Sequence, residues 1–196
     1  TLLLAFLSAL IATILGTMVS FAMNHMKKLP RMILMTVTNI PMLNADIVTG
    51  ISLMLLFIAL RYRMGFGSVL IAHITFNLPY VVLSVLPKLK QMNKSVFEAA
   101  LDLGASRRYA FVKVVFPDIL PGILTGFLLS FTMSLDDFII THFTKGVGMD
   151  TLSTKIYAEV RKGIKPEIYA LSTILFAAIF IVLIVVNRRQ KAEENR

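Results

Sequence analysis

Six polar side chains stand where the chain is otherwise oil-like: Asp46, His73, Asn77, Tyr80, Asp136 and Asp137. An ionisable group among long apolar stretches is costly and marks a candidate functional site. Three carboxylates could hold a cation, with Tyr80, Phe76 or Phe138 offering ring faces that attract ammonium groups. Neither a metal centre nor a catalytic set is expected. Cysteine is absent, and His25, His73 and His142 are scattered without an HExxH spacing. A phosphate-binding loop of the Gly-x4-Gly-Lys-Ser/Thr type is excluded, because no Gly-Lys pair occurs.

These side chains must be positioned by membrane helices. The 196 residues are 57% hydrophobic, against about 45–50% in soluble domains, and a bilayer core needs about 20 apolar residues per helix. Five runs meet that need: Leu2–Met23, Met32–Leu60, Phe66–Leu86, Ile119–Phe143 and Ile168–Val186. The expected fold is an all-α, polytopic transmembrane helical bundle forming one domain over residues 1–196, with a polar tail at 187–196. The net charge of +9 lies mostly between the runs, which points to topology rather than to nucleic acid. Alternating the loops places 13 Lys and Arg on one side and 7 on the other. The richer side is expected to be cytoplasmic, with the C-terminus inside and Thr1 outside. A start at Thr1 on the outer side suggests at least one further span upstream.

Each run carries its own pattern. Pro41, Asn44 and Asp46 interrupt the second run, which predicts a short helix over Met32–Ile40, a break, and a crossing from about Leu43 to Leu60. The break lies either at membrane depth against a cavity or in a loop at the interface. In the third run His73, Asn77, Tyr80 and Ser84 fall on one narrow helical face. That face either lines a pathway or bonds to neighbouring helices. The fourth run is expected to start at Pro121-Gly122. Gly122, Gly126, Ser130 and Ser134 then recur every four residues, a spacing that lets helices approach closely. Asp137 projects onto the same stripe, and Asp136 lies about 100° away. The two carboxylates are either functional or at a helix end in the outer interface.

Residues of about 93–117 read as a hairpin between the third and fourth runs. Ser95-x-x-Glu98 is a capping box, Gly104 suits a left-handed helix end, Ser106 can cap a second helix, and Pro117 is expected to stop it. Val96, Ala100 and Leu103, joined by Phe97 and Leu101, form an apolar face. It either docks into a partner's groove or packs on its own bundle.

Glu98-Ala99-Ala100, Gly104 and Val114-Val115-Phe116-Pro117 together resemble the EAA motif of ABC importer permeases. The family pattern has Ile and Leu-Pro at its end, where this chain has Val114 and Phe116-Pro117. Asp46–Leu53, Ala72–Phe76, Ser134–Phe138 and Pro166–Ala170 are similar to the spermidine/putrescine branch. The resemblance implies a type I importer permease in a bacterial inner membrane. It implies Glu98, Ala99 and Gly104, with Ala100 and Pro117 of the same motif, as the contact with an ATPase; Asp46, His73, Asn77, Tyr80, Asp136 and Asp137 are the candidate pathway residues by their placement in the apolar runs. Implied partners are a second permease, an ATPase dimer that holds the ATP, and an extracytoplasmic binding protein. The chain itself would carry no cofactor. A permease for another solute would keep the hairpin and change the pathway residues. A secondary transporter would also use broken helices and midplane carboxylates but would not need the hairpin. A purely structural membrane subunit would tolerate changes at both.

Overall fold

The computed structural model describes residues 1–162 together with Ala170, Thr173, Ile174 and Ala177. Among these residues every regular element is a helix: α1 (Leu2–His25), α2 (Lys28–Leu43), α3 (Asp46–Ala59), α4 (Phe66–Gln91), α5 (Lys94–Asp102), α6 (Arg107–Ala110), a π-helical turn (Phe111–Val115), α7 (Phe116–Asp136), α8 (Ile139–Thr144) and α9 (Leu152–Lys162). The chain divides into two compact units, Thr1–Ser153 and Thr154–Arg196. The first contains α1 to α8. In the second, α9 runs to Lys162. The predicted fifth run, Ile168–Val186, is described at only four positions, and the tail 187–196 lies outside the described residues.

Among the described residues, three helices are long and apolar enough to cross a bilayer: α1, α4 and the continuous helix Arg107–Asp136. The pair α2 and α3 adds a fourth crossing if its two bent halves act as one, at 106° to each other. Proline does not set that break. Pro41 lies inside α2, and the chain turns at Asn44 and Ala45 instead. A proline in the last turn of a helix forfeits one bond but leaves the earlier turns intact.

The fourth run departs from expectation in a similar way. Its helix begins at Arg107 rather than Pro121, and Pro117 does not stop it. The π turn immediately before Pro117 accounts for this. A proline ring clashes with the carbonyl four residues back, and the wider hydrogen-bond ring of a π turn absorbs such a misfit.

Helices α1, α4 and α7 form the core. Ser134 of α7 touches both Ser8 of α1 and His73 of α4, and Gly16 meets Val81 two turns further along. α1 and α4 are therefore parallel, so the chain between them must return once. α7 runs antiparallel to α4, with Gly126 against Val81 and Gly122 against Ser84. A Cβ on Gly122 would lie 2.8 Å from the Ser84 carbonyl oxygen, so this crossing requires glycine.

The buried face of α1 is made mostly of small residues, as expected where lipid is as apolar as leucine. In α1, Ala5, Ser8, Ala12, Gly16 and Ser20 are buried, while Leu3, Phe6, Leu10, Ile14 and Met18 are exposed. Ala12, Val81, Val85, Leu89 and Ile119 fill the centre of the bundle. α8 wedges between α3 and α4, where Phe57, Ala72, Phe76 and Ile140 pack together.

Candidate functional site

The fourth run is broken at the acidic pair. α7 ends at Asp136, Asp137 takes an extended conformation (φ −59°, ψ 125°), and α8 begins at Ile139. The Asp137 carboxylate makes the restart possible by accepting the free amides of the new helix, a favourable use of aspartate. Ile140 N–H donates to Oδ1 at 3.2 Å, Thr141 N–H to Oδ2 at 2.8 Å, and the Thr141 hydroxyl to Oδ2 at 2.7 Å.

His73 locks this break to the rest of the bundle. Its Nδ1 lies 2.6 Å from Ser134 Oγ, and its Nε2 lies 2.9 Å from Thr141 Oγ1 and 3.3 Å from Asp137 Oδ2. A threonine hydroxyl has one proton, and here Asp137 receives it. Nε2 therefore carries the proton that points at Thr141 and Asp137. Ser134 Oγ also lies 2.9 Å from Ser8 Oγ. Five side chains from α1, α4, α7, α8 and the α7–α8 break are thus joined in one network. His73 is 2% exposed and the Asp137 side chain 8%. The other end of α8 is tied by Ser68 of α4, whose hydroxyl donates to the Thr144 carbonyl at 2.7 Å.

Asp136 has the opposite surroundings. It is exposed, as is Asp46 at the first position of α3. The two charges are close enough to interact, and Tyr80 lies within range of Asp46. The half-buried Tyr80 ring meets Phe76 edge-on at 5.6 Å. Each of the two helix breaks thus presents one exposed carboxylate, Asp46 at the start of α3 and Asp136 at the end of α7. His73, Asn77 and Asp137 lie in the packed wall.

One turn below His73 the wall is less well satisfied. Both amide atoms of Asn77 and the hydroxyl of Ser130 are buried without a hydrogen-bond partner. Ser8, Ser68 and Thr141 join the site without standing out in the sequence as site residues. Ser8 had a usable signal, because it belongs to the small-residue face of α1. A serine at the start of α4 and a threonine after the acidic pair carry no comparable mark.

At the opposite end of α4, the hairpin follows its predicted outline with a different cap. Asn93, not Ser95, starts α5, with its side chain accepting Ser95 N–H at 3.0 Å. A residue at the N-cap itself reaches these amides with less strain than one already inside the first turn. Gly104 has φ +85°, and Ser106 Oγ accepts Tyr109 N–H at 3.3 Å. Glu98 and Ala99 are exposed and Ala100 is half-buried. Pro117 is exposed beside the π turn. The apolar face is divided between the two predicted uses. Phe97 turns inward to a cavity of about 290 Å³ lined also by Phe21, Leu89, Met92, Phe111 and Val115. Leu103 is 89% exposed and Val96 52%.

Residues 4–191 match the family described as binding-protein-dependent transport system inner membrane component. The chain belongs to that family. The permease is 37% identical over 181 residues to the spermidine/putrescine transport system permease protein PotC of Escherichia coli strain K12, covering 92% of this chain and 69% of that protein. Against the protein of the same name from Haemophilus influenzae the identity is 36% over 192 residues, or 98% and 74% of the two chains. The putrescine transport system permease protein PotI of Escherichia coli is 37% identical over 148 residues, or 72% and 53%. With its long apolar helices, the permease is a multi-pass inner-membrane protein and a component of a transport system.

Proposed function

We propose that the chain is one of two membrane-spanning subunits of an ATP-driven importer of polyamines. The observation that carries the reading is that two helix breaks each present an exposed carboxylate, Asp46 opening α3 and Asp136 closing α7. Spermidine and putrescine are flexible cations whose ammonium groups need carboxylates and ring faces. The similar permeases are named for transport of the same solutes.

In this reading the chain crosses the membrane five times, with the C-terminus and the α5 hairpin cytoplasmic. Glu98, Ala99, Ala100 and Gly104, with Leu103 and Val96 at the apolar rim, meet a separate ATPase that holds the ATP. Pro117 marks where α7 leaves the hairpin. Because α5 and α6 join the C-terminal end of α4 to the helix containing α7, a pull on the hairpin reaches two of the three core helices directly. Closure of an ATPase dimer would open the bundle outward to an extracytoplasmic binding protein, and hydrolysis would reset it. Each nucleotide state shifts the bundle only by its differential affinity for the two conformations.

Amine uptake by the reconstituted four-component complex tests the proposal. Asp136→Asn is expected to lower spermidine and putrescine uptake about tenfold, the order of one ammonium–carboxylate contact, while the subunits still co-purify. Unchanged amine uptake in Asp136→Asn, or equally fast uptake of an uncharged solute, would overturn it.

A further inference from the structure

We propose that His73 is a positioning residue, which locks α8 onto α4 and α1 and thereby keeps Asp137 out of the cation pathway, leaving Asp136 as the pathway carboxylate of the fourth run. This rests on the pathway reading above, but its geometry stands apart from the identity of the solute.

Both Asp137 oxygens are already in use. Oδ1 accepts one backbone amide, and Oδ2 accepts one amide and one hydroxyl with the His73 ring 3.3 Å away. That occupies most of the acceptor capacity of a carboxylate. An incoming ammonium would have to displace the cap of α8 and the imidazole together. Asp136, its neighbour in sequence, is exposed. The chain break turns one carboxylate inward and the other outward, and His73 holds the inward one.

The imidazole suits this task because it reaches in two directions at once. Its two nitrogens span from Ser134, on the last full turn of α7, to Thr141, on the first turn of α8. The bond bridges the break itself, so α8 cannot swing while both contacts hold. Ser8 extends the brace to α1, and Ser68 secures the far end of α8. A side chain with a single polar atom could satisfy one side of the break but not both.

The chain has no cysteine, so single cysteines report position cleanly. The test uses the assembled transporter in membranes, with Ile140→Cys as the probe for the buried face of α8, since Ile140 is 0% exposed. A cationic methanethiosulfonate reagent should leave Ile140→Cys unmodified beside His73 and modify it at least tenfold faster beside His73→Leu. His73→Gln, whose amide also has a donor and an acceptor, should retain the protection. Spermidine uptake supplies a double-substitution cycle. His73→Leu and Asp137→Asn should each lower uptake about fivefold or more, and together by less than twice the larger single loss. Asp136→Asn should instead multiply with His73→Leu. If His73→Leu fails to assemble, Thr141→Val removes the same link while keeping the side-chain shape and should expose Ile140→Cys in the same way. Continued protection of Ile140→Cys with either substitution would overturn the proposal. So would multiplicative losses for His73→Leu and Asp137→Asn, which would place both on the cation separately. Failure of spermidine uptake in every version, with the labelling pattern as expected, would overturn the solute assignment and leave the brace standing.

Discussion

The break between α7 and α8 and the α5 hairpin are both places where a long helix gives way to a short capped one, yet they are finished in opposite ways. At the break the polar groups turn inward and find one another, joining residues up to 126 positions apart. At the hairpin the caps are local, Asn93 to Ser95 and Ser106 to Tyr109, and apolar side chains remain exposed above a cavity. A region satisfied from within resists movement, whereas one held by local bonds with an unfilled space beneath can be moved at little cost. The first suits a fixed wall and the second a contact for a moving partner.

That contrast can be broken by substitutions whose effects on fold stability should fall in order. Asp137→Ala removes the cap of α8 and leaves His73 and Thr141 short of a partner. It should cost about 2–3 kcal/mol, read as a lowered thermal midpoint of the detergent-solubilised complex; a loss no larger than for an exposed site would remove the fixed wall from the account. Phe97→Ala enlarges a cavity under a half-buried side chain and should cost about 1–2 kcal/mol. A loss as large as for Asp137→Ala would mean the hairpin is held as firmly as the break. Asn93→Ala deletes an exposed cap and should cost about 1 kcal/mol, checked by the same melting curve. Leu103→Ser should leave the midpoint unchanged while the ATPase recovered by co-purification drops about tenfold. Full recovery of the ATPase would show that the exposed rim is not its contact. Asn77→Leu sharpens the comparison from the other side. Its amide atoms have no partner, so an apolar replacement of similar size should be neutral or stabilising by about 1 kcal/mol. A clear loss in the melting curve would show that Asn77 is bonded in the assembled transporter.

Much of this molecule was legible in one dimension. The span-forming runs at Leu2, Phe66 and Ile119, the small-residue stripe from Gly122 to Ser134 and the left-handed Gly104 all follow from local composition and helical period. The break positions did not. Pro41 reads as a break, Pro117 as a stop and Pro121 as a helix start, yet all three lie within helices, because one missing bond is tolerable when a π turn or a helix end absorbs it. The break at Asp137 carries no proline or glycine and depends on a side chain that supplies the amides of the next helix with acceptors.

The sequence by itself determined that four polar residues of the third run share a face and that two carboxylates stand together at the end of the fourth. Only the tertiary structure decided that His73 is fully bonded while Asn77, one turn away, is not, and that Asp137 faces inward while Asp136 faces out. Helical period sets the direction in which a side chain points, and it is the same for every residue of a type. What that side chain meets depends on the register of two other helices, set by the close approach of Gly122 to Ser84 and of Gly16 to Val81.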